Sequence, residues 1–210
     1  MYNNHMDKCI YTIGYTAFDI SSFIAKLKEL NISCVIDVRS NPIASEFYEN
    51  YSRINLEPLL KQHNIYYRNY ANEFGARQTN NKFYEKYGYL DFAEFIKTQQ
   101  FKFGVEKIEK GLKLGYNFVL MCAEKDPIAC HRTIMVGKGM KDMGFDIKHI
   151  MADNSIQSQA GIENRLLDLY FPNRGQLNIF EQKTEEEYIA EAYLKQNAKI
   201  GYKQEKEVAY

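Results

Sequence analysis

Tryptophan is absent from the chain, and neither sign of charge is in excess: Lys plus Arg and Asp plus Glu are both 27. A dedicated nucleic-acid-binding module carries a basic surplus in its totals, so that class is disfavoured, although a local basic pocket would vanish in the sum. No stretch approaches the roughly 18–20 apolar residues that a membrane span needs, and no membrane partner is expected. The segment 1–8 is polar, lacks the apolar core of an export signal, and is expected to be disordered. The four cysteines are then those of a cytoplasmic protein, reduced rather than a disulfide scaffold.

Several chemistries are missing at the level of motif. There is no glycine-rich phosphate loop ending in Lys-Ser/Thr, and no Gly-x-Gly-x-x-Gly after the first strand, so ATP hydrolysis and dinucleotide redox chemistry are poor fits. A phosphatase loop of Cys, five residues and Arg would need arginine where Ile128 stands. A deaminase zinc site needs His-x-Glu and Cys-x-x-Cys, and neither occurs. Cys122, Cys130 and His131 lack the paired spacing of zinc ligands. No metal and no cofactor is expected.

What is present is a chain of 210 residues, 45% hydrophobic, with 17 tyrosines and 13 phenylalanines. That suits one domain with an extension, its core and rim built from these rings. Residues 9–13 read as a buried strand stopping at Gly14. Asp19 reads as an N-cap, followed by a helical stripe of Ile20, Phe23, Ile24, Leu27 and Leu30 that Asn31 ends. The apolar run 33–38 reads as a strand covered on both faces. Further helices are expected over 55–63, 89–98 and 101–114 (closed by Gly115), and from 129 or 130 to Met143, with Gly144 as C′ residue. Further strands are expected at 65–69, 117–122 and 146–150, with irregular loops over 40–53 and 70–81. Helices follow from about Gly161 and over 185–199, separated by a turn at 172–175. The fold class is therefore α/β: a mostly parallel sheet with helices on both faces, spanning 9–150, plus C-terminal helices in a 151–210 extension packed on it.

In such a sheet ligands bind beyond the carboxyl ends of the strands, and three strand exits carry polar residues there. The first is Gly14-Tyr15-Thr16. The second is Asp37-Val38-Arg39 with Pro42. The third is Cys122-Ala123-Glu124, whose loop returns as Cys130-His131-Arg132. Asp37 and Glu124 close apolar runs, and a carboxylate buried alone is costly, so Arg39 and Arg132 are the expected partners. These motifs, with Cys122-Ala123-Glu124-x5-Cys130-His131-Arg132 foremost, resemble domain-of-unknown-function family 488 (DUF 488) over about 9–150. Tyr15-Thr16 stands where members commonly have His-Ser, and Gly75-Ala76 where they commonly have a glycine pair. The resemblance implies an active or binding site at these motifs and supplies no reaction.

The expectation is a metal-independent enzyme acting on a small anionic substrate, phosphorylated or nucleotide-like. Cys130, Glu124 and Asp37 are the candidate catalytic residues. Arg39, Arg132, His131, Gly14, Tyr15 and Thr16 are the candidate binding residues, with the two arginines as an anion clamp at a helix start. A thiol at that position would be acidified; Cys122, at a strand end, reads as packing. Two other readings stay open. One is a non-catalytic sensor or nucleic-acid-binding module whose C-terminal helices contact a partner or a second copy of the chain. The other is a redox protein using Cys122 and Cys130.

Overall fold

In a computed structural model, residues 8–174 and 183–203 are described. The expected disorder of 1–8 falls outside them save for Lys8, as do Gly175 of the expected turn and 204–210 of the extension. The strands are β1 (Cys9–Gly14), β2 (Cys34–Asp37), β3 (Tyr66–Asn69), β4 (Phe118–Cys122), β5 (Asp146–Ile150) and β6 (Ile156–Ser158). They form one sheet in the order β3-β2-β4-β1-β5-β6. All pairs are parallel except β5–β6, so the sheet is mostly parallel, as the alternation of strands and helices implies.

Alternation along the strands divides the core. Val35, Val119 and Met121 face one side with Phe23, Leu27, Leu56 and Leu60, which lie on α1 (Ile20–Glu29) and α2 (Arg53–Gln62). Ile36, Leu120 and Cys122 face the other. That second side is covered by the single turns α3 (Ala71–Phe74) and α4 (Phe92–Phe95) and by α5 (Gln99–Lys113), α6 (Lys138–Asp142), α7 (Gln159–Tyr170) and α8 (Glu185–Ile200). Helices thus lie on both faces, with the C-terminal pair on one of them.

The register places the site. Gly14 lies opposite Cys122, and Asp37 opposite Met121 and Asn69, so the polar exits of β1, β2 and β4 end in nearly one row. From the neighbours β1 and β4 the chain leaves toward opposite faces, to α1 on one side and to the α6 region on the other. A crevice opens between two such strands. Thr16 bridges it, donating from N–H (3.2 Å) and from Oγ1 (2.7 Å) to the Ala123 carbonyl.

The local signals hold where a cap or a positive φ decides. The Asp19 carboxylate accepts from Ser22 N–H, Asn31 has φ 52°, and Gly115 and Gly144 have φ of 86° and 84°. Four expectations are corrected. The helix over 89–98 shrinks to α4, because Asp91 caps it while Leu90 N–H is taken by the Tyr202 carbonyl and Tyr89 bridges to Lys203. The helix expected from 129 or 130 begins at Arg132 as a π-helical stretch to Gly137 before α6, with Thr133 and Ile134 both bonded to the Cys130 carbonyl. The loops 40–53 and 70–81 contain 3₁₀ turns at Glu46–Tyr51 and the α3 turn. Strand β6 was not foreseen: three residues on an edge, exposed at both ends, carry no period.

Candidate functional site

The Asp37 carboxylate is saturated. Its Oδ1 accepts from Arg39 N–H at 3.0 Å and Nε at 2.9 Å, and its Oδ2 accepts from Arg39 Nη2 and the Tyr67 hydroxyl, both at 2.6 Å. Residues two apart at a strand end share a side, which lets the fork close. Arg39 Nη2 also donates to the Tyr51 carbonyl at 2.8 Å, and its guanidinium lies 5.0 Å from the Tyr15 ring, which stacks on Tyr51 at 4.5 Å. Asp37 is an anchor here, and Arg39 carries the charge to the cleft.

That cleft, of about 420 Å³, is walled by Tyr15 and Arg39 on one side and by Arg77 and Tyr202 on the other. Cys122, Glu124 and His131 form its floor. Behind Glu124 lies Cys130, 1% exposed. Cys130 Sγ sits 2.8 Å from Glu124 Oε2, the two atoms sharing one proton, and Cys122 Sγ–H donates to the same oxygen at 3.1 Å. His131 Nε2–H donates to the Val38 carbonyl at 2.9 Å, so Nδ1 turns to the thiols, 3.7 Å from Cys122 Sγ. The donor atoms of Cys122, Glu124, Cys130 and His131 all lie within 4.8 Å of one another.

Arg132 is fully buried beneath this cluster. Its Nη1 donates to the Glu124 backbone carbonyl, while Nε and Nη2 have no hydrogen-bond partner among the described residues. It does not line the cleft. The expected two-arginine clamp is therefore corrected. Arg39 packs with the α1–α2 side of the sheet and Arg132 lies behind the cluster on the other, so they do not converge on one ligand. Nor does the Glu124 carboxylate hold Arg132; the backbone does that, and the carboxylate serves the thiols.

The electrostatics follow from this arrangement. Burial pushes the Cys130 thiol up, but the Cys122 hydrogen bond, the Arg132 charge and His131 outweigh it and hold Cys130 well below the ordinary thiol range. Cys122 is raised by burial and by its neighbour's charge. Glu124, exposed as a residue but with its carboxylate turned inward, is raised by desolvation and by Cys130. His131 is raised: burial lowers it, and Cys130 more than reverses that. The directions favour the anionic form of Cys130, which lies beside the Arg132 charge, over that of Cys122 and Glu124.

Of the first strand exit, Tyr15 lines the cleft, Thr16 is spent as the bridge to Ala123, and Gly14 provides room. A Cβ on Gly14 would lie 1.9 Å from the Glu124 carbonyl oxygen and 3.1 Å from Arg132 Nη1. Its φ of −102° suits any residue, so space alone demands glycine. Gly14→Ala is expected to displace the β4 exit and cost about 1–3 kcal/mol of overpacking, read as a Tm lower by about 2–4 °C per kcal/mol. Sequence reasoning read Cys122 as packing, with redox pairing to Cys130 as the alternative, and missed Tyr202, which arrives from the end of α8. Arg77, in the irregular loop expected over 70–81, also stands at the cleft, its guanidinium 4.6 Å from the Tyr202 ring. His63 ends α2 and His149 is held inside the sheet, so neither joins the site.

No helix among the described residues is long and apolar enough to cross a membrane. No curated protein and no solved structure matches the chain. The family model described as "Domain of unknown function DUF488" matches residues 19–137, the stretch that holds Asp37, Arg39, Cys122, Glu124 and the Cys130-His131-Arg132 turn, and the chain belongs to that family.

Proposed function

We propose that the protein is an enzyme acting on a small anionic substrate, of the phosphorylated or nucleotide-like class, seated in the cleft above the Cys122–Glu124–Cys130–His131 cluster. The observation that carries this reading is the cluster itself: Cys122, Glu124 and His131 line the floor of an open cleft, Cys130 lies directly behind Glu124 with Arg132 beneath, and the acidity of all four donors is shifted. Strongly shifted groups that share a cleft are characteristic of reactive sites. In the metal-free protein Cys130 supplies the nucleophile or base, and Glu124 receives and returns the proton they share. Arg39 is fixed in place by Asp37, and Arg77 lies against the Tyr202 ring at the cleft wall; these are the cations that meet the anion.

Calorimetric titration with inorganic phosphate and with a nucleoside monophosphate tests it. Saturable binding is expected, weakened about tenfold or more in Arg77→Ala, since a hydrogen bond to a charged group contributes about 1.5–3 kcal/mol. The bound anion should also slow alkylation of the cluster thiols. If neither anion binds, or if Arg77→Ala binds as well as the parent, the anionic-substrate reading is wrong. Binding without any protection of the thiols favours a non-catalytic sensor.

A further inference from the structure

The argument from spacing against a metal site considered only donors close in sequence. The fold adds Glu124 and folds the 125–129 loop back, so four donors of three kinds surround one point. Their separations are near those of a ligand shell. Cys130 Sγ to Glu124 Oε2 is 2.8 Å, Cys122 Sγ to Glu124 Oε2 3.1 Å, and Cys122 Sγ to His131 Nδ1 3.7 Å, with every pair inside 4.8 Å. Zn–S bonds of about 2.3 Å and Zn–N or Zn–O bonds of about 2.0–2.2 Å make tetrahedral edges of roughly 3.4–3.8 Å. The shortest edges must open, and the widest close, by roughly half to one ångström to reach those lengths.

We propose that Cys122, Cys130, His131 and Glu124 form a divalent metal site for zinc or another borderline-soft cation, open to the cleft on the Glu124 side. Thiolate and imidazole donors select that class over magnesium or calcium. The outer contacts are those of a metal ligand set: His131 Nε2–H is tied to the Val38 carbonyl, which fixes the tautomer and presents Nδ1 as donor. The charges close as well. Two thiolates, one carboxylate and a neutral imidazole around a divalent ion leave one negative charge, and the buried Arg132 beside it, with Nε and Nη2 unpartnered, supplies one positive. On binding, the protons left on the thiols and on Glu124 pass to solvent. The inference rests on the cluster being the working pole of the proposed enzyme, and it does not depend on the anion.

The full-length protein, stripped with a chelator, is titrated with Co²⁺ and then with Zn²⁺ in competition with a chromophoric chelator, and phosphate binding is measured on the same stripped protein. One equivalent of cobalt per chain is expected, with thiolate-to-cobalt charge transfer and the intense visible bands of tetrahedral coordination, displaced stoichiometrically by zinc. Cys130→Ser should remove about half of the charge transfer, one of two thiolates being lost, and Cys34→Ala should leave it intact. Glu124→Gln, an exposed position that keeps the fold, should weaken affinity by at least the ten- to hundredfold that outer-shell changes cost. Absence of thiolate–cobalt bands in the folded parent, or bands untouched by Glu124→Gln and Cys130→Ser, overturns the metal site. If phosphate still binds in that case, the anionic-substrate reading survives the loss; if it does not, both readings fall.

Discussion

Asp37→Ala is expected to destabilise the protein by about 3–5 kcal/mol, the range for breaking a buried ion pair from one side. The magnitude comes from what stays behind. Arg39 is 5% exposed and would keep its charge with only the Tyr51 carbonyl and the Tyr15 ring for company, and the Tyr67 hydroxyl would lose its acceptor. Urea unfolding should show a lower midpoint at unchanged slope. Combining Asp37→Leu with Arg39→Met should recover a large part of the loss, because removing both charges leaves neither stranded. A single-variant cost below about 1 kcal/mol, the range of exposed pairs, would mean that the fork is solvated. The cleft would then have lost the rigid anchor assigned to Arg39.

The second large effect is a fall of stability in mild acid through His149. Its ring is wholly buried, accepting at Nδ1 from the Thr12 hydroxyl and donating from Nε2 to Gln159 Oε1, both at 2.8 Å. Burial first, and the Arg132 charge after it, lower its pKa from 6.5 to about 4. A histidine depressed in the folded state is stabilising while neutral. Below about pH 6.5 the unfolded chain takes a proton that the folded chain refuses, so stability declines until about pH 4 and then levels. The span corresponds to about 3 kcal/mol at about 1.4 kcal/mol per pH unit. Comparing unfolding free energies of the parent and His149→Gln at several pH values isolates this group. The parent's stability relative to the variant should fall steadily from about pH 6.5 to about pH 4 and be flat above about pH 7; a difference that does not vary with pH would show that folding leaves the pKa of this ring unchanged.

The legible parts of this fold are those written in adjacent residues. The runs ending at Asp37 and Cys122 are apolar without interruption because both strands are covered on both faces, and that continuity fixes them as inner strands. Asp19, Gly115 and Gly144 mark helix ends because capping and left-handed backbone each restrict the residue types. The charged pair Asp37–Arg39 was also readable, being two residues apart on one strand. What could not be read depends on distance in the chain. Arg132 and Glu124 were expected to pair through the carboxylate, but Arg132 meets the Glu124 backbone carbonyl instead, in the space that Gly14 leaves on another strand. Cys122 has the burial of a packing residue, and only its neighbours across the turn give it chemistry. The π-helical start at Arg132 and the three-residue β6 follow from tertiary contacts, and neither leaves a period in the sequence.

The wall that α8 brings to the cleft has a separate origin from the floor. Residues 19–137, the family segment, supply the cluster and Arg39, whereas Ile200 and Tyr202 lie outside it and reach the cleft because Asn197 latches onto Phe92 N–H and the Leu90 carbonyl. The reacting groups thus come from the family segment, while part of the surface that screens what approaches them comes from the C-terminal helix, held by Asn197, by Gln196 on the Ile128 carbonyl and by the Tyr202 carbonyl on Leu90 N–H. Grafting another terminal helix that keeps these contacts and the buried Ala192 and Tyr193 would exchange that part of the surface while leaving the cluster residues in place, which makes the end of this helix the natural place for selectivity to diversify.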